Sequence, residues 1–195
     1  MPPGTLRHWK RPGKHPTLIR DPDPKDAAMN DLSPLEHVTR EAFREGMAHL
    51  PGAVNIVTTD GPGGRAGLTA SAVCSVTDEP PTLLVCVNRT SSAGGAFREN
   101  CAVCVNTVGP RHQDLAMLFG GKTPMNDRFA RAAWTQGPSG APVLSESVVS
   151  FDCRVTHRHD VGTHTVLFCE VVDVVVAPGE PASVYYARAF HAVSL

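Results

Sequence analysis

The sequence predicts a mainly β domain of barrel type with a few peripheral helices. Three observations carry this reading. Short runs rich in Val, Thr, Cys and Leu recur from residue 53 to the C-terminus. Helical periodicity is confined to two or three segments, too few to alternate with the strands as a parallel α/β sheet requires. The chain has 195 residues, 42% of them hydrophobic and 19% charged, which suits one full-size core or a domain plus a tail. No internal repeat is visible.

Residues 1–31 contain six of the 17 prolines, and Asp21, Asp23, Asp26 and Asp31 dilute their basic residues. This predicts a flexible extension ahead of a domain at 32–195. In "SPLEHVTREAFREGMAHL", Ser33 suits an N-cap, Pro34 the first helical position, and Glu36 completes a capping box. Leu35, Val38, Ala42, Phe43, Met47 and Leu50 recur at helical spacing, so one face is expected to pack on a core; Pro51-Gly52 ends the helix. Strands are then predicted at 53–59, 68–76 and 82–87, separated by the glycine-rich turn 60–67 and the Asp-Glu-Pro-Pro bend. A short helix at 91–99, a strand at 102–108 and a helix at 110–119 follow, then a longer loop through "GGKTPMNDRFARAAW". Two long strands, 145–157 and 163–176, flank "RHDVG", and "SVYY" and "FHAV" form a last pair.

A net charge of −1 supplies no basic field for non-specific nucleic-acid binding. No apolar run is long enough for a bilayer and no leader pattern opens the chain, so a cytoplasmic protein is expected. Five of the six cysteines sit in apolar runs such as "LLVCV" and read as small buried hydrophobes. Cys101 and Cys104 resemble a redox or metal pair, but strand alternation sends them to opposite faces. "GPGGRAG" misses the dinucleotide fingerprint and precedes a strand, where that motif needs a helix. "GGKT" lacks the first P-loop glycine, since position 116 is alanine. His157 and His159 share a strand face but have no carboxylate or cysteine to join them, so no metal site is expected. His164 opens a strand at a sheet rim, and on spacing alone it reads as a solvent-facing strand-end residue. No nucleophile elbow or bracketing carboxylate pair supports a hydrolase.

The segment "GLTASAVCSVTDEPPTLLVCVNRTSS" is rich in small and hydroxylated residues. Alternation across 68–76 places Thr69, Ser71, Val73 and Ser75 on one face, and Leu68, Ala70, Ala72 and Cys74 on the other. Small side chains let a flat ring approach the backbone. Asn88 and Arg89 end a strand, while Thr90, Ser91 and Ser92 are expected to begin a helix, which with the guanidinium would suit a phosphate. Plain helix capping explains the same hydroxyls equally well.

The blocks "FREGMAHLPGAVNIVTTDGPGGRAGLTASAVCSVTDEPPTLLVCVNR", "CVNT", "LFGGKTPMNDRFARAAW", "VVSFDCRV", "GTHTVLFCEV" and "YYARAFHAV" closely resemble the flavin reductase family, the short-chain reductase components of two-component flavin monooxygenases. The similarity runs from about Phe43 to the C-terminus. The resemblance implies an FMN-binding split β-barrel, a homodimer, and transfer of hydride from NADH or NADPH to FMN or FAD, the reduced flavin passing to a separate monooxygenase. By position it assigns Thr69, Ala70, Ser71, Ala72 and Ser75 to the flavin, and Asn88, Arg89, Thr90, Ser91 and Ser92 to the ribityl phosphate. Phe119 and Gly120 match a loop beside the flavin, and His164 the histidine near the nicotinamide. Arg188, Tyr186 and Phe190 match the C-terminal block. The loop after Asn88 varies within the family. A flavin-dependent reductase of another acceptor, such as a corrinoid, and a non-catalytic flavin-binding protein are the rival readings on this fold.

Overall fold

In the computed structural model, which describes residues 37–194, the alternating apolar runs form strands β1 (Gly52–Ala53), β2 (Asn55–Asp60), β3 (Ala66–Ala70), β4 (Val73–Asp78), β5 (Pro81–Asn88) and β6 (Ala102–Thr107). Strands β7 (Trp134–Gln136), β8 (Pro142–Leu144), β9 (Val149–Val161), β10 (His164–Val176), β11 (Ala182–Tyr186) and β12 (Ala189–Val193) follow. The helices are α1 (Arg40–Ala48), α2 (Gly94–Glu99), α3 (Gln113–Gly120) and α4 (Met125–Phe129), with a 3₁₀ turn at Pro110–His112 before α3.

Seven strands make one antiparallel sheet in the order β3-β2-β6-β9-β10-β5-β4. Its two edges, β3 and β4, are consecutive in the chain and joined through Ser71 and Ala72. The sheet therefore curls until its edges meet at that link and part beyond it, which is a split barrel. Alternate residues fill the interior: Val57, Val85, Val87, Val103, Val105 and Leu167 are essentially inaccessible. Each such side chain contributes roughly 1.5–3 kcal/mol through removal from water. A second core lies outside the barrel, where Ile56 and Val108 meet Leu115 and Phe119 of α3, Phe129 of α4, and Leu144. Phe119, Phe129 and Trp134 form a three-ring cluster with centroids 4.9–5.7 Å apart. Strand β3 can lie under α3 because residue 67 is glycine: a Cβ there would stand 2.7 Å from the Phe119 ring.

Several expectations need correction. The predicted strand 68–76 is two strands, because the chain leaves one sheet edge at Ala70 and enters the other at Val73. Helix α2 begins at Gly94, so Thr90–Ser92 form a turn ahead of it and do not open it. Gly94 packs too closely for any other residue; a Cβ would meet the Arg89 carbonyl at 2.5 Å. Strand β9 runs on through His157 and His159 to Val161, and the hairpin turns at Gly162 and Thr163. The loop after α3 contains α4. Only Cys104, Cys153 and Cys169 are buried, whereas Cys74 and Cys101 are exposed. The capping box at 33–36 and the extension at 1–31 lie outside the described residues.

Helix α1 departs from expectation in its packing. Its apolar stripe forms as the spacing predicts, but Phe43 is 59% and Met47 47% exposed, and no residue of the helix is buried.

Candidate functional site

A cleft of about 510 Å³ opens where the barrel splits. One wall is the end of β3 with the Ser71–Ala72 link, giving Thr69, Ala70, Ser71 and Ala72. The opposite wall is the exterior of β5 and β10, whose register pairs Asn88 with His164. Since Val85, Val87 and Leu167 point into the barrel, Cys86, Asn88 and His164 face out into the cleft. The end is closed by Thr90, Ser91 and Ser92 on one side and by Phe119, Gly120, Gly121 and Lys122 on the other. Arg128 lies beneath.

Of the residues singled out in the sequence, Thr69, Ala70, Ser71, Ala72, Asn88, Thr90, Ser91, Ser92, Phe119, Gly120 and His164 converge on this cleft. Ser75 does not. It lies along β4, exposed and paired with Leu83, because the break at Ser71–Ala72 interrupts the alternation that put it beside Thr69. Arg89 also lies outside the cleft. Its guanidinium donates to Asp160 Oδ2 at 2.8 Å and to the Gly162 carbonyl, tying the 88–92 turn to the β9–β10 hairpin. The Thr165 hydroxyl and then Arg89 hold the Asp160 carboxyl below its usual range.

The cleft is divided chemically. Toward Ala70 and Ala72 it is lined by small groups, and Cys86 joins them: burial pushes its thiol up, so it stays neutral. The other end gathers hydroxyls and cations. Asn88 Oδ1 accepts from the Thr90 backbone N–H at 3.0 Å and the Thr90 hydroxyl at 2.9 Å, which fixes the turn. Ser91 Oγ is buried without a hydrogen-bond partner among the described residues, a cost of about 1–3 kcal/mol unless a ligand satisfies it. Lys122 is exposed and makes no hydrogen bond or ion pair among the described residues.

Arg128 is the residue that sequence reasoning missed. It is 1% exposed, and no carboxylate pairs with it among the described residues. Nε donates to Thr123 O at 2.7 Å. One terminal nitrogen donates to Phe119 O at 3.0 Å and reaches Gly67 O at 3.5 Å; the other donates to Gly121 O at 2.9 Å and Ser92 Oγ at 3.2 Å. Three walls of the cleft are thus pinned to one buried cation. Burial draws its pKa down, as expected for a charge with no anion beside it. The signal available in the sequence was the arginine of "NDRF", but it lies 36 residues from Ser92 and in a stretch that read as loop.

His164 is half-buried at the cleft rim, its Nδ1 2.9 Å from Thr163 Oγ1. His157 and His159 are exposed, and no cluster of potential metal ligands occurs among the described residues. A larger cavity of about 670 Å³ lies behind α3, but its Arg111 is already engaged by Glu146 and Glu180.

The arrangement offers a slot for a flat ring and, at one end, a site for an anion. Residues 47–194 match the profile of the flavin reductase like domain. The chain belongs to this family. Among its relatives, the "FMN reductase (NADH) RutF" of Pseudomonas syringae pv. syringae (strain B728a) is 52% identical over 168 residues, 86% of this chain and 94% of that protein. The protein of the same name from Stutzerimonas stutzeri (strain A1501) is 55% identical over 157 residues, 80% of this chain and 90% of that protein. A crystal structure of a candidate flavin reductase from Haemophilus somnus 129PT superposes with a TM-score of 0.78 at 42% identity, covering 80% of this chain and 100% of that one.

Proposed function

We propose that this chain is an NADH-dependent FMN reductase and that the cleft at the barrel split is its flavin site. The observation that carries the proposal is the pairing of a slot walled by Ala70 and Ala72 with an end that presents buried Arg128 together with the Ser91 hydroxyl and Lys122, neither of which has a hydrogen-bond partner among the described residues. A tricyclic ring carrying a phosphorylated chain matches both halves. FMN, when bound, accepts a hydride from the nicotinamide, so the chemistry resides in the cofactor and the protein positions it. Thr69 through Ala72 shape the slot for the ring. Asn88 and Thr90 hold the turn that offers Ser91 and Ser92 to the phosphate, and Lys122 meets it as a point charge. Arg128 keeps the 119–123 loop and Ser92 in place and supplies positive charge from below. His164, at the open rim, orients the nicotinamide.

FMN is preferred over FAD because the cleft carries one phosphate end, and NADH is the donor named for the curated relatives. Reduced flavin leaves for a separate monooxygenase. The functional form is a homodimer: Phe43 and Met47 of α1 with Leu50 just after it, and Val172, Val174 and Val176 of β10, present apolar surface that a second copy would cover. Sedimentation of the purified protein should give twice the chain mass. The test of activity is NADH oxidation by purified protein with FMN, with FAD and without flavin. Turnover should require flavin and be most efficient with FMN; none with any flavin would overturn the proposal.

A further inference from the structure

The cavity of about 670 Å³ behind α3 has that helix as its common wall with the cleft. Leu115 and Leu118 line the cavity, and Phe119 and Gly120 the cleft. Its other walls are the turn after α4, which carries Arg131 and Ala132, and the segment after β8, which carries Glu146. Nothing in the proposed flavin reduction uses these groups.

Two features mark the cavity as a binding place. His112 Nδ1 is buried without a hydrogen-bond partner among the described residues, a condition shared there only by Ser91 Oγ in the cleft. Burial, and then Arg111, draw the His112 pKa down, so the ring adds no charge. Glu146 sits at φ 60°, in the left-handed region that residues with long side chains seldom adopt. Residues held this way collect at ligand-binding positions, where the surroundings over-determine them. The restraint on Glu146 is Arg111, 3.2 Å away, which pairs with Glu180 as well. One guanidinium thus serves two carboxylates, and that cluster keeps a net negative charge.

The charges that remain are of both signs. Asp114 of α3 and Arg131 both line the cavity, yet neither side chain has an ion pair or hydrogen bond among the described residues. A ligand of one sign meets repulsion from part of this lining, and an uncharged one leaves both charges unpaired. A zwitterion satisfies both. Leu115, Leu118 and Ala132 add apolar surface for its body. We propose that the cavity is a second ligand site, for a small zwitterion of the class of aliphatic α-amino acids. Arg131 takes the carboxylate, Asp114 and Glu146 take the ammonium, and the leucines cover the side chain. The zwitterion and FMN bind on different sides of α3 and do not compete.

The test is calorimetric titration of three probes into the full chain, with and without saturating FMN. The probes are leucine, isocaproate (leucine without its ammonium) and isoamylamine (leucine without its carboxylate). Leucine should bind wild type about tenfold or more tightly than either truncated probe, the difference made by one charge-assisted contact. Arg131→Ala should lose about tenfold in leucine affinity without weakening isoamylamine. Asp114→Asn should lose a similar factor without weakening isocaproate, and saturating FMN should not displace leucine from wild type. The proposal is overturned if wild type binds no leucine, or binds a truncated probe as tightly. It is overturned also if either variant binds leucine as wild type does, or if FMN competes with leucine, which would put the zwitterion in the cleft.

Discussion

Arg89 and Arg128 flank the same hydroxyl-rich turn, and their environments are opposite. Arg89 sits beside Thr90 in the chain, yet its side chain runs over the outer surface to Asp160 and the Gly162 carbonyl. Arg128 is far from that turn in sequence, yet it lies under the cleft with every N–H directed at a carbonyl or at Ser92. The surface arginine has a counter-charge, and among the described residues the buried one does not. An exposed, neutralised cation lends little field to a neighbouring cleft, while a buried, uncompensated one lends much. Proximity in sequence to the hydroxyl-rich turn is thus a poor guide to which cation lies under it.

The largest expected contrast is in stability. Arg128→Ala orphans the Thr123, Phe119 and Gly121 carbonyls and empties a buried volume, so it should cost about 3–5 kcal/mol in urea unfolding. Arg89→Ala breaks a surface pair and should cost at most about 1 kcal/mol. Equal losses would erase the distinction between the two sites.

Gly67→Ala probes the same region from the sheet side. A Cβ 2.7 Å from the Phe119 ring must displace α3 or its aromatic cluster. A loss of about 1–3 kcal/mol is expected, with weakened flavin binding because Phe119 and Gly120 line the cleft. Unchanged stability would mean that α3 shifts freely.

His164→Ala should act on the donor. Losing one orienting contact should cost about 1–3 kcal/mol in kcat/KM for NADH, while FMN affinity changes little. A variant that loses FMN and keeps its KM for NADH would move His164 from the nicotinamide to the flavin.

The smallest effect expected is that of pH on the Arg89 tether. Thr165 and Arg89 hold Asp160 below the ordinary carboxylate range. Its contribution is therefore complete above that range and lost only as pH falls through the lowered value. From neutrality down to about pH 5, FMN affinity should not change through this pair. An Arg89-dependent change across that interval, seen by comparing wild type with Arg89→Ala, would show a different coupling.

The sequence was informative where a rule of period two held to the end of a strand. It located β2, β5, β6 and β10, and with them the outward positions Asn88 and His164. It failed where the chain changes partner. Nothing in "LTASAVCSV" marks Ser71–Ala72 as the passage from one sheet edge to the other, so Ser75 was grouped with Thr69. It failed also at Arg128, whose role depends on carbonyls contributed by the chain's own loops, groups that every residue possesses and no pattern reveals. For α1 the periodicity correctly gave an apolar stripe; what covers that stripe is not encoded in the period.

In the proposed flavin site Lys122 and Arg128 serve the phosphate end, and Arg89 acts from outside the cleft as a tether. Equilibrium titration of FMN and riboflavin into wild type, Lys122→Ala and Arg89→Ala tests it most directly, because the two ligands differ only in the phosphate. Lys122→Ala should lose about tenfold or more in FMN affinity, the equivalent of one charge-assisted hydrogen bond, and leave riboflavin unchanged. Arg89→Ala should keep the wild-type ratio of FMN to riboflavin affinity, whatever happens to each. Loss of that ratio in Arg89→Ala, with its retention in Lys122→Ala, would contradict the account.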